Sequence, residues 1–396
     1  MTGVAVTGCD LHVLLLPSFY QTAQTPYAGT FFRDWATALQ QAGVKTGVAY
    51  VEMRGLRTLS LAALRETHFQ LTSETEDGLP TVRLRAWNTL AQSTLGGVVW
   101  SRLAQIVIRE YIKRHGRPDL VAAQSATWAG VAAGRAATRW QLPYVITEVD
   151  TGFGTGAVRH WHATLSRRAF AGALAVIAIS RNLRERLLRL GGARRVELIP
   201  CTVDESYWTL PPAPRSGRPF TFYAQAHLTP RKGFDVLIRA FAARFRGDAM
   251  VRLVLGGDGV IRQELAALAR SLGLQSQVTF LGQLPRDGVR EAMWNANCFV
   301  LPSYAENFGV VLIEALATGV PVISTRCGGP EDIISDDVGI IREPGDETGL
   351  GDALVTMRER PEPDAGAIRE YAVARYGYST IGPSLRDLYC SLLERR

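Results

Sequence analysis

The sequence predicts an α/β protein made of two doubly wound units in series, and three observations predict it. Its 396 residues exceed what one hydrophobic core organises and suit two units of about 150–200 residues each. Short apolar runs of strand length alternate with longer helical patterns from end to end, as in a parallel sheet covered on both faces. Between Tyr207 and Pro219, where Pro211, Pro212, Pro214, Pro219 and Gly217 cluster, the alternation breaks off and then restarts.

In the first half the expected strands are His12–Leu16, Gly47–Val51, Leu120–Ala123, Tyr144–Thr147, Val176–Ile179 and Glu197–Ile199. Helical patterns fall between them at Phe31–Gln41, Ser101–Arg114, Ala129–Arg139 and Arg181–Leu190. Ser180 suits the N-cap of the last of these and Gly191-Gly192 its end. After the proline-rich break come a strand at Phe220–Ala224, a helix at Gly233–Phe245, a strand at Val251–Gly256, a helix at Ile261–Leu272 and a strand at Val278–Leu281. Strands at Ala296–Leu301 and Pro321–Ser324 flank a helix at Val310–Ala317. The expected division is a first domain at 1–205, a linker at 206–219, a second domain at 220–380 and a last segment at 381–396. Ligands in such sheets bind at the carboxyl ends of the strands, and a pair of such units leaves a cleft between them.

Hydrophobic residues make up 47% of the chain and charged residues 20%, which excludes a disordered protein. No apolar run reaches the roughly 18–20 residues of a membrane-spanning helix, since the longest, Ala169–Ile179, is closed off by Arg168 and Arg181. Met1–Phe19 has no basic residue ahead of its apolar stretch and does not read as a secretion signal. The five cysteines, Cys9, Cys201, Cys298, Cys327 and Cys390, are scattered, which argues for a reducing cytoplasmic setting and against a disulfide framework or structural metal. Residues 1–200 carry a net +10 and the remainder −3, so an acidic partner is expected at the first half: an anionic membrane surface or a phosphate-bearing acceptor, nucleic acid being the weaker option. Solvated arginines alone account for the same imbalance. Only Lys45, Lys113 and Lys232 stand beside 41 arginines, which draws attention to any lysine placed in a candidate loop.

The densest chemical signal is Pro302-Ser303-Tyr304-Ala305-Glu306-Asn307-Phe308-Gly309-Val310-Val311-Leu312-Ile313-Glu314-Ala315, which follows a strand and opens a helix. A helix start presents unpaired N–H groups and a partial positive charge that suit a phosphate. Glu306 lies just outside that start and Glu314 about two turns along it. Carboxylates do not favour the phosphate itself and are better explained as acceptors for sugar and ribose hydroxyls, although a cap-region glutamate and a surface glutamate would look the same in isolation. No Gly-x-Gly-x-x-Gly follows the first strand of either half, which disfavours a dinucleotide oxidoreductase.

This Glu, seven residues, Glu pattern resembles the retaining glycosyltransferases of family 4, whose GT-B fold sets two Rossmann-like doubly wound domains facing across a cleft. The flanks agree in order and spacing: Leu255-Gly256-Gly257-Asp258-Gly259, Leu272-Gly273-Leu274, Val278-Thr279-Phe280-Leu281-Gly282, and Ala317-Thr318-Gly319-Val320-Pro321 followed by Gly328-Gly329 and Glu331. The resemblance implies that Glu306 binds the donor sugar and Glu314 the ribose, with Asn307, Phe308, Gly309 and Val310 facing the donor phosphate and sugar. It places Lys232, in Leu228-Thr229-Pro230-Arg231-Lys232-Gly233, on the diphosphate, where a point charge suits a leaving group whose negative charge grows. Lys232 and Glu306 are the expected catalytic residues. Five positions before the lysine, where the family usually has arginine, stands His227; it or Arg231 is expected to supply the second cation.

The first half departs further. Tyr27-Ala28-Gly29-Thr30 resembles the family's glycine-bearing loop, so Gly29 is expected near the phosphates. Gln124 and Val149 stand where relatives often hold histidine, and Gln124, Glu148 and Asp150 are the candidate residues on the acceptor side. His160 and His162 flank Trp161; a strand would point both to one face, but no third metal ligand is evident and packing is the reading taken. No Asp-x-Asp metal motif is seen, and the expectation is a metal-independent enzyme without a cofactor. It would move a sugar with retention from a nucleotide-diphosphate sugar, UDP first and GDP second, to a hydroxyl acceptor that is a glycan, a lipid-linked or a small molecule. Nucleic acid is not an expected partner. The expected setting is the cytoplasm, with peripheral association at the inner face of the membrane resting on the basic helices Ser101–Arg117 and Arg181–Arg195. Domain closure over the linker near 210 and a last segment crossing back to the first domain belong to the same resemblance. The alternatives are a nucleotide-sugar-binding protein of little activity, or a hydrolase, phosphorylase or epimerase on the same frame.

Overall fold

The computed structural model describes residues 10–22, 25, 28–54, 69–87, 93–158, 160–213, 219–361 and 363–395. Tyr27 of the glycine-bearing loop, Cys9 and linker residues 214–218 lie outside the described residues. The chain divides into two compact units, one formed by Met1–Thr202 with Tyr378–Arg396, the other by Val203–Gly377.

The first unit is built on the strands β1 (His12–Pro17), β2 (Lys45–Arg54), β3 (Gln70–Glu76), β4 (Leu79–Trp87), β5 (Leu120–Gln124), β6 (Tyr144–Glu148), β7 (Val176–Ala178) and β8 (Val196–Leu198). They form one sheet in the order β3-β4-β2-β1-β5-β6-β7-β8. The side chains of β1, His-Val-Leu-Leu-Leu-Pro, are buried throughout, as a central parallel strand covered on both faces requires. From β1 the chain steps outward to β2 on one side and returns to β5 on the other, so the sheet has its switch point between β1 and β5.

The hairpin of β3 and β4 differs from the expectation of a wholly parallel sheet, because β3 runs antiparallel to β4 at the edge. Asp77 and Gly78 make its turn with φ of 48° and 81°, the left-handed pair that suits the twist of a two-residue hairpin. Arg83 on β4 then ties neighbouring strands together, donating to Glu76 on β3 at 2.6 Å and to Glu52 on β2 at 3.2 Å.

The helix Tyr378–Glu394 starts three residues before the expected segment and packs within the first unit, against the helix Thr30–Gln41. Gly382 is the point of closest approach: a Cβ there would lie 2.2 Å from the carbonyl of Ala38. Arg386 adds a hydrogen bond to the carbonyl of Ala42 at 3.2 Å.

The second unit is built on β9 (Phe220–Gln225), β10 (Val251–Gly256), β11 (Val278–Gly282), β12 (Cys298–Leu301), β13 (Val322–Thr325) and β14 (Gly339–Arg342). All are parallel, in the order β11-β10-β9-β12-β13-β14. Phe222, Phe234, Phe241 and Leu253 lie at the centre of a core that the helix Phe234–Phe245 closes over one face.

The expected linker is not free along its length. Residues from Val203 onward pack with the second unit. Trp208 is buried. Trp294 donates to the carbonyl of Thr209 at 2.7 Å, and Arg369 holds the carbonyls of Trp208 and Glu205. Arg286 and Arg290 stack over the Tyr207 ring at 4.3 and 4.2 Å. Proline content marked the break in the alternation, but aromatic side chains beside it supply enough apolar area to anchor the segment.

Gly382→Val is expected to destabilise the protein by about 2 kcal/mol or more, because the helix must move off Ala38 to admit the side chain. Thermal or denaturant unfolding checks it, and a variant as stable as the parent would contradict this packing.

Candidate active site

In the second sheet the chain leaves β9 for β10 on one side and reaches β12 and β13 on the other. The connections after β9 and β12 therefore diverge and leave a crevice at their carboxyl ends. Both candidate loops lie there. After β9 the chain runs through His227 to the short turn Pro230–Lys232 and Gly233, and then enters the helix Phe234–Phe245. After β12 it runs through Ser303 and Glu306 to Gly309 and the helix Val310–Ala317.

Backbone contacts fix the first loop from two sides. Gly257 has a φ of 105°, and a Cβ there would lie 1.9 Å from the carbonyl of Ala226. Leu228 donates its amide to the carbonyl of Asp258 at 2.9 Å. Gly233 has a φ of 65°, and a Cβ there would lie 2.1 Å from the carbonyl of Pro302. Tyr304 donates its amide to the carbonyl of Arg231 at 2.8 Å. The glycines admit the backbones to within reach of one another, and the two loops become one surface.

On that surface Lys232 Nζ donates to Glu306 Oε1 at 2.5 Å, with the two side chains 16% and 11% exposed. Ser303 Oγ donates to the same oxygen at 2.7 Å. Ser303 escaped the sequence reading because a serine in a loop carries no pattern of its own. Beside the pair, the helix Val310–Ala317 starts at Gly309 without a side-chain cap; the amide of Leu312 bonds the carbonyl of Gly309 at 2.9 Å, and the positive end of the helix dipole suits an anion there. Phe308 is buried and its ring meets that of Tyr376 at 5.8 Å, so only its backbone can face the crevice. Glu314 is half-buried near Tyr223, whose hydroxyl is pushed upward first by burial and then by that carboxylate. Tyr223 in turn donates to Gln225 at the end of β9, at 2.8 Å. His227 and Arg231 are in the loop but exposed. The structure thus joins Lys232, Glu306 and the Asn307–Val310 backbone directly, and sets Glu314 on the same helix.

The remaining candidates belong to the first unit. Gly29, at a φ of 69°, precedes the helix Thr30–Gln41. Gln124 ends β5 and is 1% exposed, with neither polar atom of its side-chain amide bonded to any group among the described residues. Asp150 is exposed and caps the short helix Thr151–Thr155, accepting from Gly152 at 2.7 Å. Glu148 is wholly buried. Its carboxylate accepts from the amides of Ala126, Val149 and Asp150 at 2.9, 2.9 and 2.8 Å. It is bound to the protein itself rather than presented to an acceptor, which corrects its expected role. His160 and His162 lie on the helix His160–Gly172, and residues two positions apart on a helix do not share a face. His162 packs its ring against Trp161 and Trp128.

Burial pushes the Glu148 carboxyl up to about 7, against the three amides, which favour the ionised form. In the unfolded chain the same carboxyl titrates near 4.3. Its contribution to stability is therefore present at low pH and lost as the pH rises through about 7. Glu148→Gln cannot titrate, so the variant is expected to gain on the parent as the pH is raised from about 5 to 8. Thermal unfolding across that range reads the difference, and parallel curves would contradict it.

Two family models match the chain: "Glycosyl transferase 4-like domain" over residues 28–202 and "Glycosyl transferases group 1" over residues 211–373. The chain is 25% identical to a putative teichuronic acid biosynthesis glycosyltransferase of Bacillus subtilis, over 87% of this chain and 88% of the relative. It is 29% identical to a GDP-mannose-dependent alpha-(1-6)-phosphatidylinositol monomannoside mannosyltransferase of Mycobacterium tuberculosis, over 56% of this chain and 63% of that one. In another curated relative the match takes in 38% of the relative's own length. Among solved structures, Anabaena HepE in complex with UDP and glucose superposes with a TM-score of 0.72 over 96% of this chain and all of its own, at 21% identity, a likeness of fold. The models fall one on each unit, the second of them takes in both loops that meet at the switch point of the second sheet, and the chain belongs to the group 1 glycosyl transferases, of the family 4 type with the GT-B fold.

Proposed function

We propose that the protein transfers a sugar, with retention of configuration, from a nucleotide-diphosphate sugar to a hydroxyl acceptor. The observation that carries this reading is the Lys232–Glu306 pair beside the uncapped start of the helix Val310–Ala317. A diphosphate in the crevice gives Lys232 a partner of higher charge than one carboxylate and places its oxygens at the start of the helix Val310–Ala317. Glu306, freed from part of that pairing, accepts a sugar hydroxyl, while Glu314 reaches the ribose. Negative charge growing on the leaving diphosphate meets a cation and a helix dipole already in place, which lowers the barrier without reorganisation. The acceptor attacks from the face the diphosphate leaves, and a donor phosphate oxygen takes its proton. The charge of Lys232 and the helix start do the work a divalent ion would do, so the reaction proceeds without a metal.

A UDP-sugar is the proposed donor, with a GDP-sugar second; the relatives include a GDP-mannose-dependent enzyme, and a solved structure of the same fold holds UDP. The proposed setting is the cytoplasm with peripheral attachment to an anionic membrane. Among the described residues no helix is long and apolar enough to cross a membrane. The helix Arg181–Leu190 exposes Arg181, Arg184 and Arg189 around Leu188, which is 52% exposed, an arrangement that suits an acidic lipid surface.

Lys232→Ala and Glu306→Ala are each expected to lower kcat/KM about 100- to 1,000-fold while far-UV circular dichroism stays unchanged. Transfer at the parental rate by either variant would sink the assignment. UDP is expected to raise the melting temperature more than GDP or ADP, activity is expected to persist in excess EDTA, and NMR of the product is expected to show the donor's anomeric configuration. Cosedimentation with vesicles containing phosphatidylglycerol at low salt, lost at high salt, is the expected result for the membrane surface; no binding at low salt would remove it.

A further inference from the structure

The carboxyl ends of β5 and β6 in the first unit hold a group of buried polar residues that the donor chemistry does not use. Ser125, directly after β5, has a φ of 74° and a ψ of 140°, a region that residues other than glycine enter only when their surroundings force them to. The next five residues, Ala126–Gly130, form a single π-helical turn, a form that concentrates at functional sites. The turn is tied on both sides: Ser125 donates its amide to the carbonyl of Thr147 at 2.7 Å and accepts from Gly130 at 3.1 Å. Glu148 then reaches across from β6 and takes the amide of Ala126, while its other oxygen takes Val149 and Asp150. One buried carboxylate thus bridges the chain segments that follow two neighbouring strands, beside the switch point of the sheet.

Around this bridge the side-chain amide of Gln124 and the hydroxyls of Thr127 and Thr147 are buried with no hydrogen-bond partner among the described residues. Buried polar atoms are nearly always paired with protein, water or a ligand, so these three side chains at adjoining strand ends have capacity that water or a ligand can take up. Their chemistry is neutral and both donating and accepting, which suits hydroxyl groups over a phosphate.

We propose that Glu148 is a positioning residue: by holding the amides of Ala126, Val149 and Asp150 it keeps the strained turn at Ser125 in place, and so sets Gln124, Thr127 and Thr147 for a hydroxyl-bearing acceptor. The acceptor part rests on the transferase reading; the holding of the turn does not. Glu148→Gln keeps the size of the side chain but turns one accepting oxygen into an NH2 that faces backbone N–H groups.

Hydrogen–deuterium exchange with mass spectrometry tests the holding directly. Peptides covering 124–130 and 148–152 are expected to exchange about ten-fold faster in Glu148→Gln, with peptides of the second unit unchanged. Steady-state kinetics with UDP-glucose or GDP-mannose as donor, and methyl α-glucoside and methyl α-mannoside as acceptors, test the positioning. The acceptor KM is expected to rise about ten-fold and the donor KM to change less than about two-fold. A residue serving stability alone would lower the active fraction and leave both KM values where they were. If Glu148→Gln does not fold, the double variant with Ser125→Gly, where glycine takes the positive φ without strain, is expected to fold and to show the same exchange and KM changes. Unchanged exchange at 124–130, unchanged acceptor KM in a variant that transfers sugar, or failure of the double variant to fold each overturns the proposal. Should the parent transfer to neither glycoside, the transferase reading is what that result questions, and the exchange experiment still decides the part played by Glu148.

Discussion

At the switch point of the second sheet a lysine and a glutamate, 74 residues apart in the chain, meet through one carboxylate oxygen. An ion pair this far from water is poor insurance for stability, because desolvation cancels most of what the charges gain from each other. It makes better sense as a charge held ready. The rest of the second unit is arranged so that the pair can form: parallel strands that part between β9 and β12, and glycines that let one loop lie against the backbone of the next. Were Gly257 or Gly233 to carry a side chain, the loop bearing Lys232 would have to stand off from its neighbours.

The two sheets solve the same topological problem with different chemistry. In the second unit the crevice is polar through charge, with a cation, a carboxylate and a helix start. In the first unit the corresponding strand ends are lined by an amide and hydroxyls, and the one buried carboxylate there spends its oxygens on backbone amides. On the function proposed above, charge would meet the diphosphate and neutral groups the acceptor hydroxyls. That division follows from what each ligand can repay when it is taken out of water.

Most of the strands were legible because buried parallel strands are written as apolar runs, and β1 is apolar from Val13 to Pro17. The hairpin β3–β4 was not, since β3 reads Gln-Leu-Thr-Ser-Glu-Thr-Glu and is largely exposed at an edge, with no apolar face to announce it. Its Asp77-Gly78 turn was a usable signal that the search for strand–helix alternation passed over. The segment after Val203 misled in the opposite way. Prolines suggested a tether, while Tyr207 and Trp208, in the same stretch, had already indicated that it would find a surface. His160 and His162 were read as packing residues for want of a third ligand; they lie on a helix, where His162 packs against Trp161 and Trp128.

The sequence by itself determined the class of fold, most of the buried parallel strands, and which loops carry the cation and the acids. These rest on periodicity, on glycine and proline, and on residue types in a fixed local order, all of which act over a few positions. Only the tertiary structure decided that Lys232 and Ser303 share one oxygen of Glu306, that the side-chain amide of Gln124 is buried without a partner among the described residues, and that Glu148 faces inward to three amides. Those outcomes depend on which strand ends lie side by side and on how far water is excluded from them. Long-range packing sets both, and no local pattern records it.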